Sequence, residues 1–182
     1  MANITLAVTG SISAYKAADL TSQLTKLGHQ VTVLMSRSAM DFITPLTLQS
    51  LSKNLVHTDV MIEENPTLIK HIDIAKETDV FLVAPASANT IAKLANGMAD
   101  NIITATALAL PIGTKKLLAP AMNTNMSLNP ATQKNIKTLI EYGFEEIKPR
   151  EALLACGDFG TGALAEVTDI LEKVSNTLDE KK

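Results

Sequence analysis

Residues 4–36 read ITLAVTGSISAYKAADLTSQLTKLGHQVTVLMS, and this stretch decides the fold. Ile4 to Val8 is a short apolar run closed by Thr9, Gly10 and Ser11, which predicts a buried strand ending in a turn. Ala17, Leu20, Leu24 and Leu27 then fall on one helical face, and Gly28 supplies the stop. A second apolar run, residues 30–36, follows at once. Strand, helix and strand in so short a span predict a parallel pair joined by a right-handed helical crossover.

The same alternation continues outward. Residues 80–86 (VFLVAPA) and 115–122 (KKLLAPAM) predict two further strands. Helices are predicted over 89–94, 101–109, 131–142 and 167–178. Another opens near Thr44 and Pro45, where the missing proline N–H would have had no partner anyway. The strands are apolar throughout rather than alternating, as expected when helices cover both sheet faces. The expected fold class is therefore α/β, a doubly wound parallel sheet with Rossmann-like three-layer architecture, in a single domain over residues 1–182. There is no internal repeat and no linker. Residues 144–166 break the pattern with Pro149, Cys156 and three glycines, and predict a long loop or flap that acts as a flexible clamp. The tail SNTLDEKK is expected to fray.

Composition narrows the function. The net charge is −3 with no basic block, so nucleic acid is not indicated. Aromatics make up 3% and Trp is absent, which removes the stacking platforms of single-strand binders. No apolar run approaches the roughly 20 residues of a bilayer span. The N-terminus has no signal-peptide pattern. One cysteine forms no internal disulfide and fits a cytoplasmic location. The three histidines are scattered without ligand spacing to Cys156, so no metal is expected.

In doubly wound sheets, ligands bind beyond the carboxyl ends of the strands, where the strand order reverses. Four loops meet that description: TGSIS, MSRSAMDF, APASANT and APAMNTNM. In TGSISAYK, Gly10 permits close backbone approach, Ser11 and Ser13 offer hydroxyls, and a helix N-terminus offers a phosphate site. An ordinary capped helix explains the same residues. The stretch is neither G-x-G-x-x-G nor a P-loop, and no acid ends the second strand, so one phosphate fits better than a dinucleotide. Ser87, Asn89 and Thr90 are either helix caps or ligand contacts. Small residues after proline in both APASANT and APAMNTNM leave room for a flat ring. His71 is a structural histidine or a base. Asn123 caps a turn or holds a carboxylate. Cys156 is either a core thiol or a working one, and CGDFGTG is poor core material. Arg37 and Lys93 are either phosphate ligands or solvated surface charges.

Taken together, GSISAYK, the His71-Ile72 pair, PASANTIAKLANGMADN, PAMNTNM and ACGDFGTGALAE occur in an order that resembles the homo-oligomeric flavin-containing cysteine decarboxylases. The resemblance spans nearly the whole chain. It is strongest to the branch that converts phosphopantothenoylcysteine to phosphopantetheine in coenzyme A biosynthesis. Two positions depart from the pattern: Ser127 stands where many relatives have Trp, and Ala163 lies where many bacterial clamps read GRMAE. The resemblance implies FMN as cofactor. Gly10, Ser11, Ile12 and Ser13 would form its phosphate-end loop, with Ser36 and Ser38 nearby. Ser87, Ala88, Asn89 and Thr90 would meet the ring or ribityl chain, Ala121 and Met122 would lie near the ring, and Phe42 would belong to a subunit contact. It also implies FMN held between subunits of a homotrimer, or of a dodecamer of four trimers, and a separate ligase supplying the substrate.

The implied chemistry is redox-neutral overall. A cysteine carboxylate loses CO₂ poorly because the carbanion has nowhere to delocalise. Oxidising the thiol to a thioaldehyde creates an electron sink, and flavin holds the two electrons until the ene-thiol is reduced. The resemblance gives His71 the proton-removing role, Asn123 the carboxylate, and Cys156, on the clamp, the proton that completes the reduction. Related alternatives are a peptidyl-cysteine decarboxylase and a non-catalytic FMN-binding regulatory relative.

Overall fold

The computed structural model describes residues 1–62, 67 and 69–180. Six strands form one parallel sheet: β1 (Asn3–Val8), β2 (Gln30–Met35), β3 (Val56–His57), β4 (Val80–Ala86), β5 (Lys115–Pro120) and β6 (Phe144–Glu146). Their spatial order is β3-β2-β1-β4-β5-β6. The chain winds one way from β1 to β3 and the other way from β4 to β6, so the order reverses between β1 and β4. That reversal opens a crevice at the carboxyl ends of these two neighbours.

Adjacent strand residues point to opposite faces, and each face has its own core. Ile4, Leu6 and Val8 of β1 pack with Val80 and Leu82 of β4 on one side. Helices α1 (Lys16–Lys26), α2 (Pro45–Ser52) and α8 (Val167–Asp179) cover that side through Leu20, Leu24, Leu48, Ile170 and Val174. On the other side Ala7, Phe81, Val83 and Leu118 meet α4 (Ala88–Ala95), α5 (Ile102–Ala109) and α7 (Pro130–Glu141). Ile74 of α3 (Lys70–Glu77) packs on the same side. Because both faces are buried, the central strand β4 is apolar at every position, and β1, β2 and β5 are mainly apolar with polar residues concentrated at their amino ends.

Three parts of the chain differ from the sequence expectation. Residues 144–166 are not irregular. Phe144–Glu146 extends the main sheet as β6, and β7 (Arg150–Leu153) pairs antiparallel with β8 (Phe159–Ala163) as a separate hairpin. These strands are three to five residues long, and β8 is rich in glycine, so neither shows a readable period. The tail does not fray at Ser175: α8 continues to Asp179, with Thr177 buried. β3 and α3 have no counterpart in the sequence reading. β3 is only two residues long, and α3 is one eight-residue helix without a side-chain N-cap.

Candidate active site

The crevice is built first by Thr9, which follows β1. Its hydroxyl donates to the Pro85 carbonyl at 2.7 Å and accepts the Ser87 N–H at 2.8 Å. This buried clip ties the β1 and β4 loops together at the switch point. Ser11 then caps a 3₁₀ turn over Ile12–Tyr15 that runs into α1, its hydroxyl accepting the Ser13 N–H. Gly10 is required by a close approach. A Cβ there would lie 2.6 Å from the Ser38 Cβ. Ser38 thus supports the loop from behind. Ser36 caps the turn that carries Ser38, accepting the Ala39 N–H at 3.2 Å.

A cavity of about 440 Å³ opens beyond these strand ends. Gly10, Ser11, Ile12 and Ser13 line one part of it, and Ser87 and Ala88 another. Ala121, Met122, Asn123 and Cys156 complete the predicted set found there. The other predicted residues do not line it. Ser36 and Ser38 stand behind the Gly10 loop. Thr90 is buried at the start of α4, where its N–H bonds the Ser87 hydroxyl, and Asn89 faces solvent. Phe42 is 48% exposed on the chain leading to α2. His71 lies in the first turn of α3. Because α3 leads directly into β4, its N-terminus lies at the same carboxyl edge as the cavity. The His71 Nδ1 is buried without a hydrogen-bond partner among the described residues.

The β7–β8 hairpin covers the cavity and is fixed to the segment after β5. The Met122 N–H donates to the Gly162 carbonyl at 2.9 Å. Gly162 has φ +145°, and a Cβ there would meet the Met122 carbonyl oxygen at 2.2 Å. A Cβ on Gly160 would meet the Thr124 Oγ1 at 2.6 Å. These two glycines therefore let the hairpin lie directly on the Met122–Thr124 backbone.

Cys156 sits in the turn of this hairpin and is exposed. Asn123 Nδ2 donates to its Sγ at 3.3 Å, and the thiol is 3.4 Å from Asp158 Oδ2. The Asn123 Oδ1 accepts the Asn125 N–H at 2.8 Å and caps α6 (Thr124–Leu128). The capping reading of Asn123 is what the structure shows: its oxygen caps the helix, which leaves its nitrogen aimed at the thiol.

Sequence reasoning did not single out Tyr15, Lys16, Met126 or Arg150 for the site, yet all four line the cavity. Lys16 and Arg150 each pair with Glu166. Lys16 could have been found from its place in TGSISAYK, at the start of the helix. Arg150 had no such signal, because the hairpin was read as a loop. Neither Arg37 nor Lys93 reaches the cavity. Lys93 bonds Asp100 and holds that carboxyl below its ordinary range.

A doubly wound sheet with a ligand crevice at its switch point and a thiol-bearing hairpin over it defines a class of cofactor-binding α/β proteins. The chain belongs to the Flavoprotein family, whose model it matches over residues 1–179. It is 58% identical over 175 residues to a probable phosphopantothenoylcysteine decarboxylase of Streptococcus mutans, covering 96% of this chain and 98% of that protein. It is 46% identical over 172 residues to the coenzyme A biosynthesis bifunctional protein CoaBC of Bacillus subtilis. That match covers 93% of this chain but only 41% of the bifunctional protein. Among solved structures, a mutant PPC decarboxylase complexed with pantothenoylaminoethenethiol superposes with a TM-score of 0.88 at 31% identity, covering 98% of each chain. The FMN-dependent cysteine decarboxylase SpaF superposes at 0.85 with 27% identity, covering 99% of this chain and 97% of that one.

Proposed function

We propose that this chain is an FMN-dependent phosphopantothenoylcysteine decarboxylase that forms phosphopantetheine in coenzyme A biosynthesis. The observation that carries the reading is the contact between the Asn123 amide and the Cys156 thiol at a cavity of the switch point. The nearly full-length match to the S. mutans protein supports the same substrate.

The residues present fit the cofactor. The cavity is of the size that holds a cofactor ring system. Ala88 and Ala121 leave room for a flat ring. Ser11 and Ser13 stand at the mouth of a helical N-terminus, where phosphate is favoured. Gly10 is packed so tightly on Ser38 that a side chain would push the loop off its support, so the glycine fixes where the Ser11–Ser13 loop stands. Bound FMN would supply a two-electron sink for the substrate thiol and return those electrons after CO₂ has left.

The protein's own part is binding and proton movement. Asn123 Nδ2 orients the substrate carboxylate, held in place because Oδ1 is committed to the α6 cap. Cys156 delivers the proton that completes reduction of the ene-thiol, and Asp158 accepts its S–H and fixes its direction. The hairpin excludes water from these steps. His71 lies at the sheet's carboxyl edge but away from this cavity within one subunit. A neighbouring subunit of a homotrimer, or of a dodecamer of such trimers, would bring it to the substrate. A reducing cytoplasm is the compartment proposed, because Cys156 must remain a thiol. Among the described residues no helix is long and apolar enough to cross a membrane.

Cys156→Ser protein given phosphopantothenoylcysteine tests the reading. Yellow protein that releases CO₂ and accumulates oxidised ene-thiol product, without phosphopantetheine, is the expected result. Wild-type-rate phosphopantetheine formation by the variant would return Cys156 to a structural role. Colourless wild-type protein that takes up no FMN would end the flavoenzyme reading.

A further inference from the structure

We infer that Lys16 and Arg150 form a subsite for the phosphate monoester of the substrate, with Glu166 holding the two cations in place. The inference rests on the function proposed above. Its basis is a cluster at the base of the β7–β8 hairpin. Glu166 Oε2 lies 3.4 Å from Lys16 Nζ, and its Oε1 lies 3.0 Å from Arg150 Nε. One carboxylate between two cations leaves an excess of positive charge on the wall of the cavity that both cations line.

The donors left over suit a phosphate. Arg150 spends Nε on Glu166 and on the Leu164 carbonyl, the latter at 3.1 Å. Among the described residues its two terminal nitrogens, the fork that grips phosphate oxygens, have no such partner. Lys16 uses one of its three N–H donors on Glu166. Ion pairs of this exposure are individually weak, so a dianionic group can compete for the same cations.

Direction and length agree. Tyr15 and Lys16 also line a second groove, but Asp19 and Glu166 line that groove with them. Those acids repel a phosphate, so the cations meet one from the cavity side. Arg150 opens β7, and Cys156 lies in the turn beyond its other end. The length of β7 sets Arg150 about 10 Å from Leu153, on the way to the thiol. The substrate's arm from phosphate to cysteine matches three to four residues of extended chain, roughly 10–14 Å. A substrate whose carboxylate reaches Asn123 can therefore lie along β7 with its phosphate at the hairpin base. The flavin phosphate is a second source of the same chemistry, but the Ser11–Ser13 loop already provides for it.

The test uses flavin-loaded Lys16→Gln, Arg150→Gln and Lys16→Arg proteins. Each is assayed with phosphopantothenoylcysteine and with its phosphate-free counterpart, pantothenoylcysteine, alongside bound flavin measured by visible absorbance. The expected result is a loss of about tenfold to a hundredfold in kcat/KM for the phosphorylated substrate in each Gln variant, mainly through KM. The phosphate-free substrate should be turned over as by wild type, flavin content should not change, and Lys16→Arg should keep most of the discrimination. Equal losses on both substrates, or no loss, would overturn the inference. Loss of flavin from the Gln variants would overturn it too, by assigning the cations to the cofactor's phosphate. Wild-type protein that decarboxylates neither substrate would refute the proposed function itself.

Discussion

At the amino edge of the central sheet, polar groups of β1 pair with those just before β4. Asn3 N–H donates to Asp79 at 3.0 Å, the buried Thr5 and Thr78 hydroxyls meet at 2.7 Å, and Thr78 also donates to the Ile74 carbonyl at 2.6 Å. At the carboxyl edge the same strands end in Gly10, Ser11, Ser87, Ala88 and Ala121, which line an open cavity. Polar atoms there are tied down only as far as needed to aim others. Thr9 is tied to backbone on both sides, whereas Asn123 ties only its oxygen to backbone and turns its nitrogen to the Cys156 thiol. The difference follows from the topology. A parallel sheet sends helix N-termini to its carboxyl edge, and the strand-order reversal between β1 and β4 opens a crevice there. One edge therefore holds the fold, and the other holds the chemistry.

Substituting the carboxyl edge should damage activity and spare stability. Asn123→Asp is the sharpest case. Aspartate caps a helix as well as asparagine does, so α6 should keep its first turn and the melting temperature should barely move. The Nδ2 donor towards Cys156 and the substrate carboxylate is gone, and kcat/KM should fall about a hundredfold or more. A parallel loss of thermal stability would mean that the capping role dominates. Gly162→Ala comes next. Its Cβ would meet the Met122 carbonyl oxygen at 2.2 Å at a φ of +145°, so the hairpin must lift from its seat. Strain of about 1–3 kcal/mol at such a position should be relieved locally. We expect faster protease cleavage within residues 150–163 and about a tenfold loss of turnover from a misplaced thiol. Unchanged cleavage and turnover would show that the hairpin does not depend on this contact.

The sequence made the sheet legible because burial on both faces writes one pattern, an unbroken apolar strand, that needs no neighbour to interpret. Val80 to Ala86 is such a run, and all seven residues are buried. The loops at the carboxyl edge were legible for a related reason: small residues and hydroxyls cluster where a backbone must approach a ligand. The hairpin was not legible. Its strands are short and half exposed, and Gly160 and Gly162 are explained by contacts with Thr124 and Met122, residues distant in sequence. The same gap hid Arg150, whose place in the cavity depends on the hairpin. His71 shows the limit in the other direction. Its motif pointed to the site, but a single subunit leaves it away from the cavity.

At the amino edge the comparison predicts the reverse pattern. Thr78→Val removes one hydroxyl and leaves the buried Thr5 hydroxyl without its partner, since Thr5 is 2% exposed. An orphaned buried donor of this kind destabilises by about 1–3 kcal/mol. Urea unfolding should show the midpoint moving down, while kcat/KM per folded molecule stays at the wild-type value. A loss of turnover without a change in the midpoint would break the division between the edges.

The smallest expected effect is a pH dependence that also belongs to the amino edge. His29 stands just before β2, and its Nδ1 is buried without a hydrogen-bond partner among the described residues. Burial, and then the positive N-terminus, lower its pKa from the ordinary 6.5. The folded state therefore takes up this proton less readily than the unfolded chain. Stability from this source is complete above 6.5, falls as pH drops from 6.5 towards the folded value, and changes no further below it. Glu146 works with the opposite sign, because burial raises its carboxyl above 4.5 and favours the folded state while that proton is held. Comparing wild type with His29→Asn separates the two, since Glu146 is common to both. Over about pH 7.5 to 5.5 the urea midpoint of the wild type should fall more steeply than that of the variant. Identical slopes would show that His29 titrates alike in both states, and its buried nitrogen would then need a partner supplied by solvent.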